Sequence, residues 1–179
     1  FESSRYGFLK DDTVKTAYIK KNILSSAPLN NKLCGISWKS SNKNGHKNIP
    51  LKSFIESLDL KGYTYVSLQY GDTADEIKLI KDELDIDIIS YDEVDNFNDI
   101  DGLTSLIQAC DVVISIDNLT CQLSGALGKK THLLLTYGGG WWGWMADRSD
   151  SPWYNSVKIY RQGSDRNLSN LFLQLKQEL

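Results

Sequence analysis

Apolar positions along this chain alternate between two rhythms. Short runs rich in Val, Ile and Leu at residues 33–38, 64–69, 86–90, 111–116, 131–136 and 157–160 have the length and composition of buried strands. Between them, residues 51–60, 73–84, 102–109 and 118–127 carry apolar side chains at helical spacing. The chain closes on a helical stripe over 168–179, formed by Leu168, Leu171, Leu175 and Leu179. Strands separated by helices pair in parallel through right-handed crossovers. The pattern therefore predicts an α/β domain over residues 32–179, a Rossmann-like parallel sheet with helices on both faces. Residues 1–31 are more polar, with a helix predicted at about 12–23, and read as a lead-in from a preceding domain.

One handover stands out. The run Val112, Val113, Ile114, Ile116 stops at Asp117-Asn118, and a helix pattern starts at once with Leu119, Leu123 and Leu127, ended by Gly128. A buried strand feeding straight into a helix leaves free N–H groups and a positive dipole end at the carboxyl edge of the sheet. Open α/β sheets hold anionic groups there.

Composition narrows the field. A chain of 179 residues, 41% hydrophobic, can bury one good core. Its net charge of −3 is scattered, which argues against a nucleic-acid partner. No apolar stretch is long enough for a transmembrane segment, and no signal peptide opens the chain. Cys34, Cys110 and Cys121 are widely spaced in apolar contexts and read as reduced, buried thiols of a cytoplasmic protein. With Phe1 first and Met145 the only methionine, the sequence reads as a piece of something longer.

In a parallel sheet the loops after the strands gather at one edge. The first carries Lys39, Lys43 and Lys47 among Ser, Asn and Gly, suited to a diphosphate or simply a solvated basic loop. The second is Gln69-Tyr70-Gly71-Asp72, and the third carries Asp92, Glu93, Asp95 and Asn96. The fourth, Asp117-Asn118, also serves as a plain N-cap. The fifth, Gly138-Gly139-Gly140-Trp141-Trp142-Gly143-Trp144, offers flat apolar faces to a sugar or base, or a contact to a neighbouring domain. It lacks the Gly-Lys-Ser/Thr ending of a phosphate-binding P-loop, and no Gly-x-Gly-x-x-Gly follows the first strand. Asp85-Ile86-Asp87 and Asp99-Ile100-Asp101 resemble metal-holding pairs, but Asp87 falls inside a predicted strand, and no metal is expected. His46 and His132 have no ligand spacing, and His132 reads as structural. The sequons at Asn118 and Asn167 are discounted for a cytoplasmic chain.

Three segments, in order, resemble the carboxyl-terminal half of family 9 glycosyltransferases, including heptosyltransferases and the bacterial proteins in which such a domain follows tetratricopeptide repeats. They are Gly35-Ile36-Ser37-Trp38 with Lys47-Asn48-Ile49-Pro50-Leu51; Tyr65-Val66-Ser67-Leu68-Gln69 with Ser115-Ile116-Asp117 and Leu123-Ser124-Gly125-Ala126-Leu127-Gly128; and Trp142-Gly143-Trp144-Met145-Ala146-Asp147-Arg148 running to Tyr160-Arg161-Gln162. The resemblance implies one half of a glycosyltransferase-B fold, the half that holds a nucleotide diphosphate sugar, with no other cofactor. It implies that Lys47 and the backbone at Asn118, Leu119 and Thr120 grip the diphosphate, with Lys47 stabilising the leaving group. By the same resemblance Asp117 orders the turn, and Ser37, Trp38, Gln69 and Tyr70 lie near the donor. Trp142 and Trp144 would line the cleft towards an amino-terminal acceptor domain, which supplies the base. Gln122 stands where the family usually has His, and glutamine cannot carry a proton at neutral pH. The expected function is metal-independent sugar transfer to an unidentified acceptor. The alternatives are an ADP-heptose-type lipopolysaccharide heptosyltransferase and a non-catalytic, degenerate binding module.

Overall fold

The computed structural model describes residues 7–41 and 46–179; Lys43, one of the cationic candidates, falls outside them. In chain order the elements are α1 (Thr13–Ser26), β1 (Lys32–Ser37), α2 (Leu51–Leu58), β2 (Tyr63–Ser67), α3 (Ala74–Leu84), β3 (Ile88–Ile89), α4 (Ile100–Ala109), β4 (Val112–Ile116), α5 (Leu119–Ala126), β5 (Thr131–Leu135), β6 (Val157–Arg161) and α6 (Leu168–Lys176), with a 3-10 turn at Trp142–Trp144. The six strands form one sheet in the order β3-β2-β1-β4-β5-β6, every neighbouring pair parallel. The order reverses between β1 and β4. Loops leaving two adjacent strands there diverge to opposite faces and open a crevice at the carboxyl edge.

Alternate strand residues feed opposite faces. Val112, Ile114 and Ile116 pack with Phe54, Ile55, Phe172 and Leu175 of α2 and α6, whereas Val113 packs with Leu103, Leu106 and Ile107 of α4. A third cluster joins Cys121 of α5 to Leu133, Leu135, Ile159 and Trp144. All three cysteines are free and buried. Burial pushes the Cys110 thiol up to about 12 and raises Cys34 and Cys121 as well, so none presents a thiolate near neutrality. No helix of the described residues is long and apolar enough to cross a membrane.

Two boundaries differ from the sequence pattern. Asp85 caps α3 in the left-handed conformation, and β3 begins only at Ile88. Asp87 therefore sits before the strand, not inside it, and its carboxylate meets Lys81 at 3.0 Å. The second difference concerns α1, which the sequence pattern sets outside the domain that begins at residue 32. Ile19 and Ile23, one turn apart on α1, are each 1% exposed and belong to the core cluster of α4 and β2. Asp12 caps this helix, accepting from the N–H groups of Val14 (2.9 Å) and Lys15 (3.0 Å). Because α1 is part of the cooperative unit, Asp12→Ala should lower global stability by about 1 kcal/mol in urea unfolding. An unchanged midpoint would make α1 an appendage.

Candidate functional site

The crevice between β1 and β4 is built from a buried polar network. Asn118 has extended backbone angles at the N-cap of α5, and its Oδ1 accepts from the Cys121 N–H at 3.4 Å. Its Nδ2 donates to Ser37 Oγ (2.7 Å) and to the Lys39 carbonyl (3.2 Å), and Ser115 Oγ donates to its Oδ1 at 3.0 Å. Ser37 Oγ donates in turn to Gln69 Oε1 (3.1 Å), which also accepts from the N–H groups of Trp38 (3.0 Å) and Lys39 (2.9 Å). One chain of amides and hydroxyls thus fixes the exits of β1, β2 and β4 relative to one another. A fully satisfied buried network of this kind is rigid.

That rigidity presents the start of α5 to the crevice. Asn118 caps Cys121, and helix geometry leaves the N–H groups of Leu119 and Thr120, earlier in the same first turn, without intrahelical acceptors. They add their dipoles to the positive end of α5, the natural seat for an anion.

Asp117, 5% exposed, ties three loops together. Its Oδ2 accepts from Lys47 Nζ at 2.6 Å and from the Trp141 N–H at 2.7 Å, and its Oδ1 accepts from the Trp144 indole at 2.8 Å. The loop after β5 reaches it through backbone that glycine permits, with Gly138 at φ +72 and Gly140 at φ +120. It also touches the loop after β1, since Thr136 Oγ1 donates to the His46 carbonyl at 2.5 Å. Lys47 is thereby held at the turn that leads into α5, a quarter of its side chain still exposed.

Several residues expected to face a ligand serve the protein instead. Ser37 and Gln69 are buried, and the Ser37 hydroxyl and the Gln69 carbonyl oxygen are spent on the network. Trp38, 1% exposed, sends its indole N–H to Glu76 of α3 at 2.7 Å. Trp144 is not a cleft wall either: it is 1% exposed, edge-on to Trp141 and packed against Tyr154. Trp142, 73% exposed, is the more outward of the two. Gln122 lies on α5 with its Oε1 accepting from the Tyr154 hydroxyl at 2.8 Å. Tyr154 was not among the sequence candidates. Its close packing over Gly125, where a Cβ would come within 2.5 Å of the Tyr154 ring, explains the glycine in that helix.

Beside the crevice, at the exits of β2 and β3, lies a cavity of about 470 Å³ walled by Gln69, Tyr70, Asp72, Asp92, Asn96 and Phe97, among others. Tyr70 and Phe97 meet there with ring centroids 5.9 Å apart.

No family model matches the chain. It is 31% identical over 159 residues to Protein FlbA of Caulobacter vibrioides, an overlap covering 87% of this chain and 26% of that protein. Among solved structures it resembles the Escherichia coli ADP-heptose lipopolysaccharide heptosyltransferase II, with a TM-score of 0.61 at 14% identity, over 94% of this chain and 54% of that one. It also resembles a family 9 glycosyltransferase of Veillonella parvula, with a TM-score of 0.57 at 12% identity, over 95% of this chain and 45% of that one. The chain thus spans about a quarter of FlbA and about half of each transferase. Its fold is the α/β, Rossmann-like architecture found in these glycosyltransferases.

Proposed function

We propose that this chain is the donor-binding half of a glycosyltransferase, holding a nucleotide diphosphate sugar whose diphosphate sits at the start of α5. The observation that carries this reading is the conjunction at the switch point. The N–H groups of Leu119 and Thr120 open α5 without intrahelical acceptors, and Asp117, at the turn that leads into that helix, holds the Lys47 ammonium at 2.6 Å. As the bond between the anomeric carbon and the diphosphate breaks, negative charge grows on the departing oxygen. Preorganised donors and a fixed cation stabilise that charge without reorganising. Lys47 and the α5 terminus supply this positive field from the protein itself, so we read the chemistry as metal-independent. The base that activates the acceptor would come from the amino-terminal half of the intact protein. The domain alone should then bind donor and turn over little.

A second reading has one observation in its favour. Gln122 replaces the residue expected to serve the leaving phosphate, and its carbonyl oxygen is already taken by Tyr154. A degenerate binding module would keep the cradle and lack turnover even when reunited with its partner half.

Calorimetric titration with nucleoside diphosphates tests the cradle directly. Lys47→Ala should weaken binding by about tenfold or somewhat more, the range of a charge-assisted hydrogen bond to phosphate. Part of that loss arises because the bared Asp117 carboxylate would then face the ligand. Equal affinity in the variant removes Lys47 from the site.

A further inference from the structure

The wall of the cavity at the exits of β2 and β3 includes a residue whose acceptor the protein leaves unmet. Asn96, in its wall, donates through Nδ2 to the carbonyls of Ser67 (3.4 Å) and Gln69 (3.2 Å). Those two contacts fix which end of the carboxamide is oxygen, because the flipped amide would set its oxygen against two carbonyls. Oδ1 is buried and meets no donor among the described residues. Buried acceptors without partners are rare and costly in native proteins.

The neighbours are those of a base. Phe97, adjacent to Asn96, is 64% exposed and lies against Tyr70 with the rings tilted 50°, so two aromatic faces line the cavity. The loop beneath is held by one of its own carboxylates. The Asp95 carboxylate accepts from the N–H groups of Phe97 (2.8 Å) and Asn98 (3.2 Å) and from Asn98 Nδ2 (2.7 Å). It is therefore spent on the loop. Asp72 stands at the exit of β2, where a carboxylate in an open α/β sheet can accept from ribose hydroxyls.

We propose that Asn96 is the base-selecting residue of the donor site, its Oδ1 accepting from an amino group at the purine 6 or pyrimidine 4 position. This rests on the donor reading above and narrows it to nucleotides of adenine or cytosine. A carbonyl at the same position, as in hypoxanthine, guanine or uracil, sets oxygen against oxygen. Because Oδ1 is covered in this conformation, the Phe97 segment gives slightly as the base enters.

Two isosteric ligand pairs test this on the unaltered protein: ADP against inosine diphosphate, and CDP against UDP, each titrated calorimetrically. The amino member of at least one pair should bind about tenfold tighter than its carbonyl twin, since a site built to hydrogen-bond a group rejects the analogue lacking it. Asn96→Ala should bring that ratio close to one. Equal affinities within both pairs overturn the assignment to Asn96 while leaving the donor reading intact. A ratio that survives in Asn96→Ala also overturns it. Failure of all four nucleotides to bind removes the donor reading itself, and this inference with it.

Discussion

Asp117→Ala is expected to lower the unfolding free energy by about 3 kcal/mol and to abolish measurable nucleotide binding. The carboxylate is buried and receives three donors from two other loops: the Lys47 ammonium, the Trp141 N–H and the Trp144 indole. Its removal affects them unequally. Lys47 retains a quarter of its side chain in solvent and can turn outward, so its loss is discounted for screening. Trp144, at 1% exposure, cannot; its indole N–H would remain buried without an acceptor, at a cost of about 1–3 kcal/mol. The remainder comes from the void and from release of the glycine-rich loop. A double-mutant cycle with Trp144→Phe isolates the indole contribution, because phenylalanine removes the donor while keeping an aromatic ring. Urea unfolding followed by circular dichroism gives the numbers. If Asp117→Ala unfolds at the wild-type midpoint and loses only ligand affinity, the carboxylate acts on the ligand alone and the three-loop tie described above is wrong.

The same residue shows why the fold was legible in the sequence and the site only partly so. Strand β4 and helix α5 announce themselves through neighbours: a β-branched run, a polar pair, then leucines four apart. That information is local, and the element ends fall within about two residues of the pattern for most elements. Lys47 and Asp117, 70 residues apart, were brought together only by parallel topology, which sends the exits of β1 and β4 to one edge. What could not be read is which of two like residues turns inward. Trp142 and Trp144 share a glycine-rich loop with no periodicity to sort them, and the choice is made by a buried carboxylate 27 residues before Trp144. The resemblance sets Trp38 near the donor, but its indole is claimed by Glu76, on a helix that sequence neighbours could not point to. Helix α1 looked like a polar lead-in because just two of its side chains, Ile19 and Ile23, are buried, too sparse a stripe to stand out. Asn96 carried no signal beyond its acidic company, because an unmet acceptor is a property of packing.

Acid should destabilise this domain before its carboxylates protonate, through His132. This residue, second in β5, is 2% exposed, with Nδ1 2.9 Å from the Tyr160 hydroxyl and Nε2 buried without a partner among the described residues. Burial, with a smaller push from Lys130, lowers its pKa to about 4 from an ordinary value of 6.5; Lys158 also lowers it, and Glu178 opposes the shift. The sign follows directly. Between pH 6.5 and 4 the unfolded chain carries a proton on this imidazole and the folded chain does not, so falling pH favours unfolding. The contribution is fully present above about pH 6.5 and is lost progressively towards pH 4, at up to about 1.4 kcal/mol per unit, or roughly 3 kcal/mol in all. The depressed carboxylates behave alike in sign but in a lower window. Asp99, held down by the Gly102 N–H and by Lys15, gives up its contribution only as the pH falls below the ordinary aspartate range. Urea midpoints at pH 7.5, 6.5, 5.5 and 4.5 should therefore decline from the second value onward. His132→Leu should flatten that decline while leaving the steeper loss below pH 4 in place. A wild-type midpoint that holds steady down to pH 4.5 would mean that the imidazole finds a route to its proton without unfolding. The orphaned Nε2 would then open to water near the amino end of β5, away from the carboxyl edge that carries the candidate site.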